Sequence, residues 1–144
     1  MAEVTRTIDI AASVEKVFAV ITDFENYPKF LGQLGMTGVE VSSSRPGEKT
    51  VRHAVKKMGT TVNYTLRYQL EPPHKVSWSF VEGQFMKDNR GSWRLEKVDD
   101  SHTRATYTVE VKFGLLVPGS LVSALISNEL PQLLEAFRKR AEEV

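Results

Sequence analysis

The feature that most constrains the fold is a long amphipathic stretch over residues 118–144. A helix of about 25 residues would be roughly 37 Å long, and it needs an apolar partner of similar length. Because the rest of the chain consists of short segments, we expect that partner to be one face of a β-sheet. Apolar side chains recur every three or four residues, the spacing of one helix face: Leu121, Val122, Leu125, Ile126, Leu130, Leu133, Leu134, Phe137 and Ala141.

Pro131 interrupts this helix, because its nitrogen cannot donate a backbone hydrogen bond. The helix should therefore kink or loosen near Ser127. One interpretation is simple curvature over the sheet, and the other is a hinge that lets residues 121–130 lift for ligand entry. The apolar segment before the helix, residues 113–119, is predicted to form the mouth of a cavity or a patch that contacts a membrane or partner.

The remaining sequence alternates between apolar and polar residues, as half-buried strands do. A first strand is predicted over residues 3–10, and Ser13 is a good N-cap for a helix that runs to about residue 23. A second short helix follows, because Pro28 should break a longer one. Further strands are predicted at residues 35–42, 50–58, 61–70, 75–82, 85–98 and 104–113.

Turns of only a few residues join these later strands, so the sheet must be antiparallel. One face of the sheet is polar, and only the C-terminal helix is long enough to cover the other. We therefore predict an α+β helix-grip fold: a curved seven-stranded antiparallel sheet wrapped around a long C-terminal helix, with two short helices after strand 1. A length of 144 residues fits a single domain, 1–144.

Composition excludes several classes of protein. The hydrophobic fraction of 41% and the charged fraction of 26% are those of an ordinary soluble protein. A net charge of +1 gives no field that would attract nucleic acid, and the absence of cysteine excludes disulfides and thiolate catalysis. The N-terminus lacks the pattern of a signal peptide and no stretch reaches ~20 apolar residues, so a cytoplasmic location is predicted. The sequence carries no signal for an oligomeric state.

Five short motifs follow one another along the chain: DFENYPKF (23–30), EPPHKV (71–76), EGQF (82–85), GSWRLE (91–96) and GLLVPG (114–119). Together they resemble the polyketide cyclase/dehydrase family of the START-like superfamily (SRPBCC, birch-pollen-allergen-like). That superfamily includes aromatase/cyclases, coenzyme-Q-binding proteins and a ribosome-association toxin. The resemblance implies a deep apolar cavity between the sheet and the long helix, but it does not define a function, because this scaffold hosts many.

The strand faces predicted to point inward are rich in aromatic side chains. Core packing is one interpretation, and the wall of a pocket for a flat or apolar ligand is the other. A buried phenol needs a hydrogen-bond partner, which a ligand-filled cavity would supply. The predicted ligand-binding residues are Val51, His53, Val55, Tyr64, Leu66, Tyr68, Trp78, Phe80, Phe85, Trp93, Tyr107, Val109, Leu121 and Leu125.

His53 lies on the inward face, either as a satisfied buried histidine or as a polar anchor or acid/base for enol chemistry. Tyr64 and Tyr107 are the candidate partners for such catalysis. His74 and His102 lie in predicted turns and should be solvated. No ligand spacing for a metal, no phosphate-binding glycine loop and no Gly-x-Ser-x-Gly elbow occurs, so neither a metal nor a cofactor is predicted.

Charged strand residues bear on the choice between functions. Arg67 and Arg94 have the parity of outward residues. In the cyclases of this superfamily an inward arginine and tyrosines polarise the polyketide, so this arrangement counts against a cyclase. Arg52, Lys56 and Lys57 form a small basic cluster that we expect to be solvated.

Three functions follow from these observations. The favoured one is the binding or transport of a hydrophobic small molecule: a lipid, quinone, isoprenoid or polyketide-like compound. The alternatives are a polyketide aromatase/cyclase or dehydratase that uses His53 and a pocket tyrosine, and a ribosome-association-toxin-like interaction protein. No constellation of acid, base and oxyanion donors is visible, which favours a non-catalytic protein. Transient membrane contact through the 114–119 loop is a further expectation, and no contact with nucleic acid is expected.

Overall fold

An antiparallel sheet and a C-terminal helix that crosses its inner face dominate the computed structural model. It describes residues 3–57, 59–115 and 117–144, with the backbone alone at Leu125 and Ile126. The described strands are β1 (Val4–Ile10), β2 (Met36–Arg45), β3 (Glu48–Lys57), β4 (Thr60–Glu71), β5 (Lys75–Gly83), β6 (Met86–Asp99) and β7 (His102–Phe113). The predicted helix-grip fold is confirmed, while Met58, the predicted end of the third strand, lies outside the described residues.

The strand order in the sheet is β1-β7-β6-β5-β4-β3-β2, and every neighbouring pair is antiparallel. Strands β2 to β7 lie side by side in the order of the sequence, because short turns join them. Strand β1 instead pairs with β7, where Val4 lies opposite Val109. Register shifts, such as the one between Thr65 and Leu66, interrupt the ladders and help the sheet to curve.

The first two helices lie between β1 and β2, as predicted. Helix α1 (Val14–Ile21) begins at Ser13, whose hydroxyl accepts a hydrogen bond of 3.2 Å from the backbone N–H of Lys16. Helix α2 (Tyr27–Leu31) carries Pro28 in its first turn, where no backbone donor is needed. Short 3₁₀ turns at Phe24–Asn26 and Gly32–Leu34 flank α2.

The C-terminal helix has three parts: α3 (Gly119–Ala124), a π-helical turn (Leu125–Glu129) and α4 (Leu130–Glu143). Pro131 lies in the first turn of α4, so the carbonyl at Ser127 has no α-helical donor there. The predicted loosening near Ser127 is thus confirmed as a widened π-helical turn. Among the described residues, no helix is both long and apolar enough to cross a membrane.

Candidate ligand-binding site

The described side chains do not fill the space between the sheet and the C-terminal helix. A cavity of about 570 Å³ remains, within the range of ligand pockets in proteins, about 300–1,000 Å³. The rings of Trp93 and Phe137, with centroids 5.3 Å apart, join β6 to α4 in the wall. Most of the wall is apolar, so the fold leaves an internal surface suited to an apolar molecule.

Most of the residues predicted to bind a ligand line this cavity. Two do not: Val51 is completely buried in the core, and Phe80 is partly buried and packs against the core. Strand alternation predicts which side of the sheet a side chain faces, but not how deeply Val51 is buried on that side. It also does not predict the register shift beside Leu66, the residue that pairs with Phe80. The side chain of Leu125 lies outside the described residues. The lining members are His53, Val55, Tyr64, Leu66, Tyr68, Trp78, Phe85, Trp93, Tyr107, Val109 and Leu121.

Part of the wall was missed by the sequence reasoning, because the predicted site took its residues only from the strands and from Leu121 and Leu125 of the C-terminal helix. Tyr27 and Leu31 of α2 line the cavity, and their four-residue spacing was the available signal. Leu130, Leu133 and Phe137 of α4 also line it. These last three belong to the apolar stripe that predicted the helix, but a stripe cannot distinguish residues that face a cavity from residues that face a packed core.

All four tyrosines of the chain line the cavity and carry phenols of raised pKa. Burial raises the pKa of Tyr64 to about 12 and that of Tyr107 further. Burial, and then the neighbouring phenols, raise the pKa of Tyr27 and Tyr68 well above the usual range. The four phenols therefore remain protonated hydrogen-bond donors at neutral pH.

Two of these hydroxyls have protein partners. The hydroxyl of Tyr27 donates to the backbone carbonyl of Ile21, and that of Tyr68 lies 3.1 Å from Nε2 of His53. Among the described residues, the hydroxyls of Tyr64 and Tyr107 have none. The cavity wall thus contains both satisfied and free phenols.

His53 is 2% exposed, and its ring stacks on Tyr64 with centroids 4.8 Å apart. The hydroxyl of Tyr68 and Nε2 of His53 form a hydrogen bond whose donor is set by the tautomer of the imidazole. Nδ1 is buried and has no partner among the described residues. Burial lowers the pKa of His53 to about 4, so the imidazole is neutral at physiological pH. His74 and His102 are exposed, as predicted.

Trp78 is fixed in the wall by a polar contact and by a glycine. Its indole N–H donates to the side-chain oxygen of Asn89 at 3.0 Å. A Cβ atom at Gly91 would lie 2.6 Å from the indole ring and would overlap the carbonyl oxygen of Thr108. Only glycine therefore allows β6 to pass so close to this ring.

An ion pair crosses the rim of the cavity. The ammonium of Lys57 lies 2.6 Å from the carboxylate of Glu129 and donates to the backbone carbonyl of Leu34 at 2.7 Å. The expectation that Lys57 is simply solvated was wrong, because its parity with His53 and Val55 directs it inward at the end of β3. Arg52 and Lys56 are exposed, because both have the parity opposite to the inward residues of β3.

The rim also carries exposed apolar groups. Phe85 has a positive φ of 63°, and its ring lines the cavity although the residue is 46% exposed. Leu115 is 96% exposed, whereas Val117 and Pro118 line the cavity. The segment predicted to form a mouth therefore borders the cavity, except that Leu116 lies outside the described residues.

Arg67 and Arg94 lie on the outer face and are exposed, as their parity predicted. Arg67 lies 3.7 Å from Glu48, which is an outer-face contact. Neither arginine lines the cavity. The charges described along the cavity wall are those of Lys57 and Glu129.

A curved antiparallel sheet, a long C-terminal helix and an apolar cavity between them define the START-like class of proteins. Residues 1–142 match the sequence profile of the family described as polyketide cyclase / dehydrase and lipid transport, and the chain belongs to that family.

Curated relatives cover the whole chain. The ribosome association toxin RatA of Escherichia coli K12 is 26% identical over 144 residues, spanning 100% of this chain and 89% of that protein. RatA of Vibrio cholerae is 28% identical over 148 residues, spanning 100% of this chain and 98% of that protein.

Solved structures share the fold. The Zhui aromatase/cyclase from Streptomyces sp. R1128 superposes with a TM-score of 0.86 at 20% identity, covering 98% of this chain and 93% of that one. A START superfamily protein from Mycobacterium smegmatis gives 0.84 at 22% identity, covering 98% and 97%. At these identities the likeness shows the fold and not the activity.

Proposed function

We propose that this protein binds or carries a hydrophobic small molecule in the cavity between the sheet and the C-terminal helix. The observation that carries the proposal is the size of the cavity, about 570 Å³ within a mostly apolar wall. Such a space exposes apolar surface that a ligand would cover, which is favourable in proportion to the area removed from water. A lipid, quinone, isoprenoid or polyketide-like molecule has the required character.

Native mass spectrometry of the purified protein tests this proposal, together with binding of the uncharged dye Nile red. The expected result is a copurifying apolar molecule, or dye binding at a single site. A Val109→Trp variant fills the cavity and should lose the signal, whereas Thr108→Trp, on the outer face of the same strand, should keep it. An empty protein that binds no dye contradicts the proposal, provided circular dichroism shows that it is folded.

Catalysis as a polyketide aromatase/cyclase or dehydratase is the second candidate, and buried His53 beside Tyr64 favours it. A pKa of about 4 makes this imidazole a weak base, which supports a binding role instead. If the protein is such an enzyme, His53→Ala should abolish turnover of a poly-β-keto substrate without unfolding the chain. Turnover that survives in this variant would exclude His53 as its acid/base.

Association with the ribosome is the third candidate, and similarity over the full chain to RatA proteins favours it. This role would use the outer surface and is compatible with an occupied cavity. Cosedimentation of the untagged protein with ribosomal subunits tests it. Protein that remains in the supernatant at low salt would exclude it, since electrostatic contacts are strongest there.

Transient membrane contact belongs to the same proposal, because an apolar ligand must enter and leave. Phe85 lines the cavity and is exposed, and exposed Leu115 lies in the segment 114–119. Lys87 and Lys112 border a depression that residues of this segment also line. We expect cosedimentation with phosphatidylglycerol vesicles and less with phosphatidylcholine vesicles. Leu115→Asp should reduce it, and equal binding by this variant and the wild type would argue against contact here.

A further inference from the structure

The two charges described along the cavity wall, those of Lys57 and Glu129, are paired with each other at 2.6 Å. Glu129 presents to the ammonium a carboxylate, the same group that forms the head of a fatty acid. The protein thus places its own carboxylate where a carboxylate of a ligand would bind. Within the described residues, no other lysine or arginine lines the cavity, so an anionic head group has no alternative cation there.

Lys57 is the fixed member of this pair. It is the last residue of β3, where it pairs with Thr60 of β4, and it shares the inward parity of His53. Its ammonium also donates to the backbone carbonyl of Leu34 at 2.7 Å, a contact that does not depend on Glu129. The ammonium therefore stays at the rim of the cavity when Glu129 moves away.

Glu129 is the movable member. It is the last residue of the π-helical turn, which departs from α-helical hydrogen bonding just before Pro131. Within the described part of the chain, its carboxylate has no polar partner other than Lys57. Its side chain is 38% exposed, so water solvates the carboxylate once it leaves the ammonium. Release of Glu129 therefore costs little, as the breaking of exposed ion pairs does in general.

The ammonium of Lys57 cannot serve two carboxylates without cost. A ligand carboxylate brought to Lys57 while Glu129 is still in place would put two negative charges side by side, and they would repel each other. An uncharged head group meets no such conflict and leaves the ion pair intact. A cationic head group would have to displace Lys57, which the second contact with Leu34 opposes. An anionic head group therefore reaches Lys57 by exchanging with Glu129.

We propose that Glu129 is an internal competitor for Lys57, and that an apolar ligand with a carboxylate head replaces it there and releases the π-helical turn. This inference rests on the proposed binding function and deepens it. It names the ligand class, a fatty-acid-like carboxylate, and it couples binding to the helix that covers the cavity. Because one carboxylate replaces another, burial of the apolar tail supplies the driving force. By reciprocity, a change that removes Glu129 from Lys57 strengthens binding of the carboxylate.

Three probes of one chain length test the inference: decanoate, which is ionised at neutral pH, 1-decanol and decylammonium. Isothermal titration should show that the wild type binds decanoate and that Glu129→Gln binds it about fivefold tighter, because the competitor is removed. Lys57→Gln should bind decanoate about fivefold more weakly than the wild type, because the cation is lost. The affinity for 1-decanol should be the same in all three proteins.

Two substitutions are the matched controls. Lys56→Gln removes an exposed charge of opposite parity next to Lys57, and Glu135→Gln removes a carboxylate of α4 that pairs with Arg138. Both should bind decanoate as the wild type does. A general effect of net charge on an anionic ligand would change the controls as much as the rim variants, whereas exchange at Lys57 changes the rim variants alone.

Amide exchange gives a readout that a merely structural ion pair would not produce. Saturating decanoate should accelerate exchange in Gly119–Glu129 of the wild type, although a bound ligand ordinarily stabilises a protein and slows exchange. Saturating 1-decanol should not accelerate it. In Glu129→Gln the segment is already released, so decanoate should cause no further acceleration.

Failure of the inference is distinguishable from failure of the binding function. Three results overturn the inference alone: 1-decanol binds and decanoate does not, Glu129→Gln binds decanoate no tighter than the wild type, or saturating decanoate leaves exchange in Gly119–Glu129 unchanged. Tighter binding of decylammonium than of decanoate overturns it as well, because Lys57 would then be the member that leaves. If folded wild type binds none of the probes, both the binding function and the inference are wrong.

Discussion

The ammonium of Lys57 and the carboxylate of Glu129, 2.6 Å apart, join the last residue of β3 to the last residue of the π-helical turn. This ion pair spans the rim of the cavity at the point where the C-terminal helix departs from α-helical geometry. The ion pair therefore holds the π-helical turn, which Pro131 destabilises, against the end of β3.

Breaking the ion pair should release Gly119–Glu129 without unfolding the protein. Because both side chains are about one-third exposed, we expect Glu129→Gln to cost under about 1 kcal/mol of stability. Amide exchange in Gly119–Glu129 should nevertheless accelerate. Glu135→Gln is the control, since it removes an ion pair with Arg138 in α4, away from the π-helical turn. Exchange in this segment as slow as in β6 and β7, in wild type and variant, would rule out a movable segment.

Stability should fall as the pH drops from about 6.5 to about 4, because of His53. Burial lowers its folded-state pKa to about 4, so the unfolded chain binds a proton that the folded chain does not bind in this window. The stabilisation is present above the unfolded pKa and lost on acidification. The pKa difference corresponds to about 3 kcal/mol.

Chemical unfolding at several pH values, for wild type and His53→Gln, isolates this effect, because the carboxylates cancel in the difference. His74→Gln, at an exposed position, is the matched control substitution. Parallel curves for wild type and His53→Gln would show that His53 is not the source.

A methyl group at Gly91 should be poorly tolerated. Its Cβ would press on the Trp78 ring and the Thr108 carbonyl, so Gly91→Ala should destabilise by about 2–3 kcal/mol. Gly32→Ala is the matched control, because nothing lies within 4 Å of its Cβ position and its φ is −61°. Urea unfolding should show little change for the control, and equal effects of the two variants would contradict the tight approach at Trp78.

Two substitutions of Phe85, to glycine and to alanine, should distinguish the cost of its backbone conformation from the loss of its ring contacts. At a φ of 63°, glycine is favoured over any other residue, so Phe85→Gly should be about 1 kcal/mol more stable than Phe85→Ala. Both variants lose the ring that lines the cavity and should bind Nile red more weakly than the wild type. Equal stability of the two variants in urea would mean that residue 85 does not hold this conformation in solution.

Strand alternation predicted the sheet and the inward direction of Tyr64, Tyr68 and Trp93, because side chains on a strand can take only two sides. Depth within one side depends on neighbouring strands, which is why Val51 belongs to the core. Tyr27 was missed because the predicted site used no residue of its five-residue helix, where the single four-residue spacing from Tyr27 to Leu31 is the whole signal. These errors concern which side chains border empty space, a property of packing between distant segments.

The pairing of β1 with β7 has a consequence for how the protein is made. Strands β2 to β7 can form successive hairpins as they are synthesised, but β1 must wait for a strand about one hundred residues later, whose Val109 pairs with Val4. The C-terminal helix is made later still, and its Glu142 accepts a hydrogen bond of 2.9 Å from the backbone N–H of Ala11. The apolar inner face of the sheet is therefore covered by the C-terminal helix only at the end of synthesis, so a ligand or a chaperone can reach it before the cavity closes.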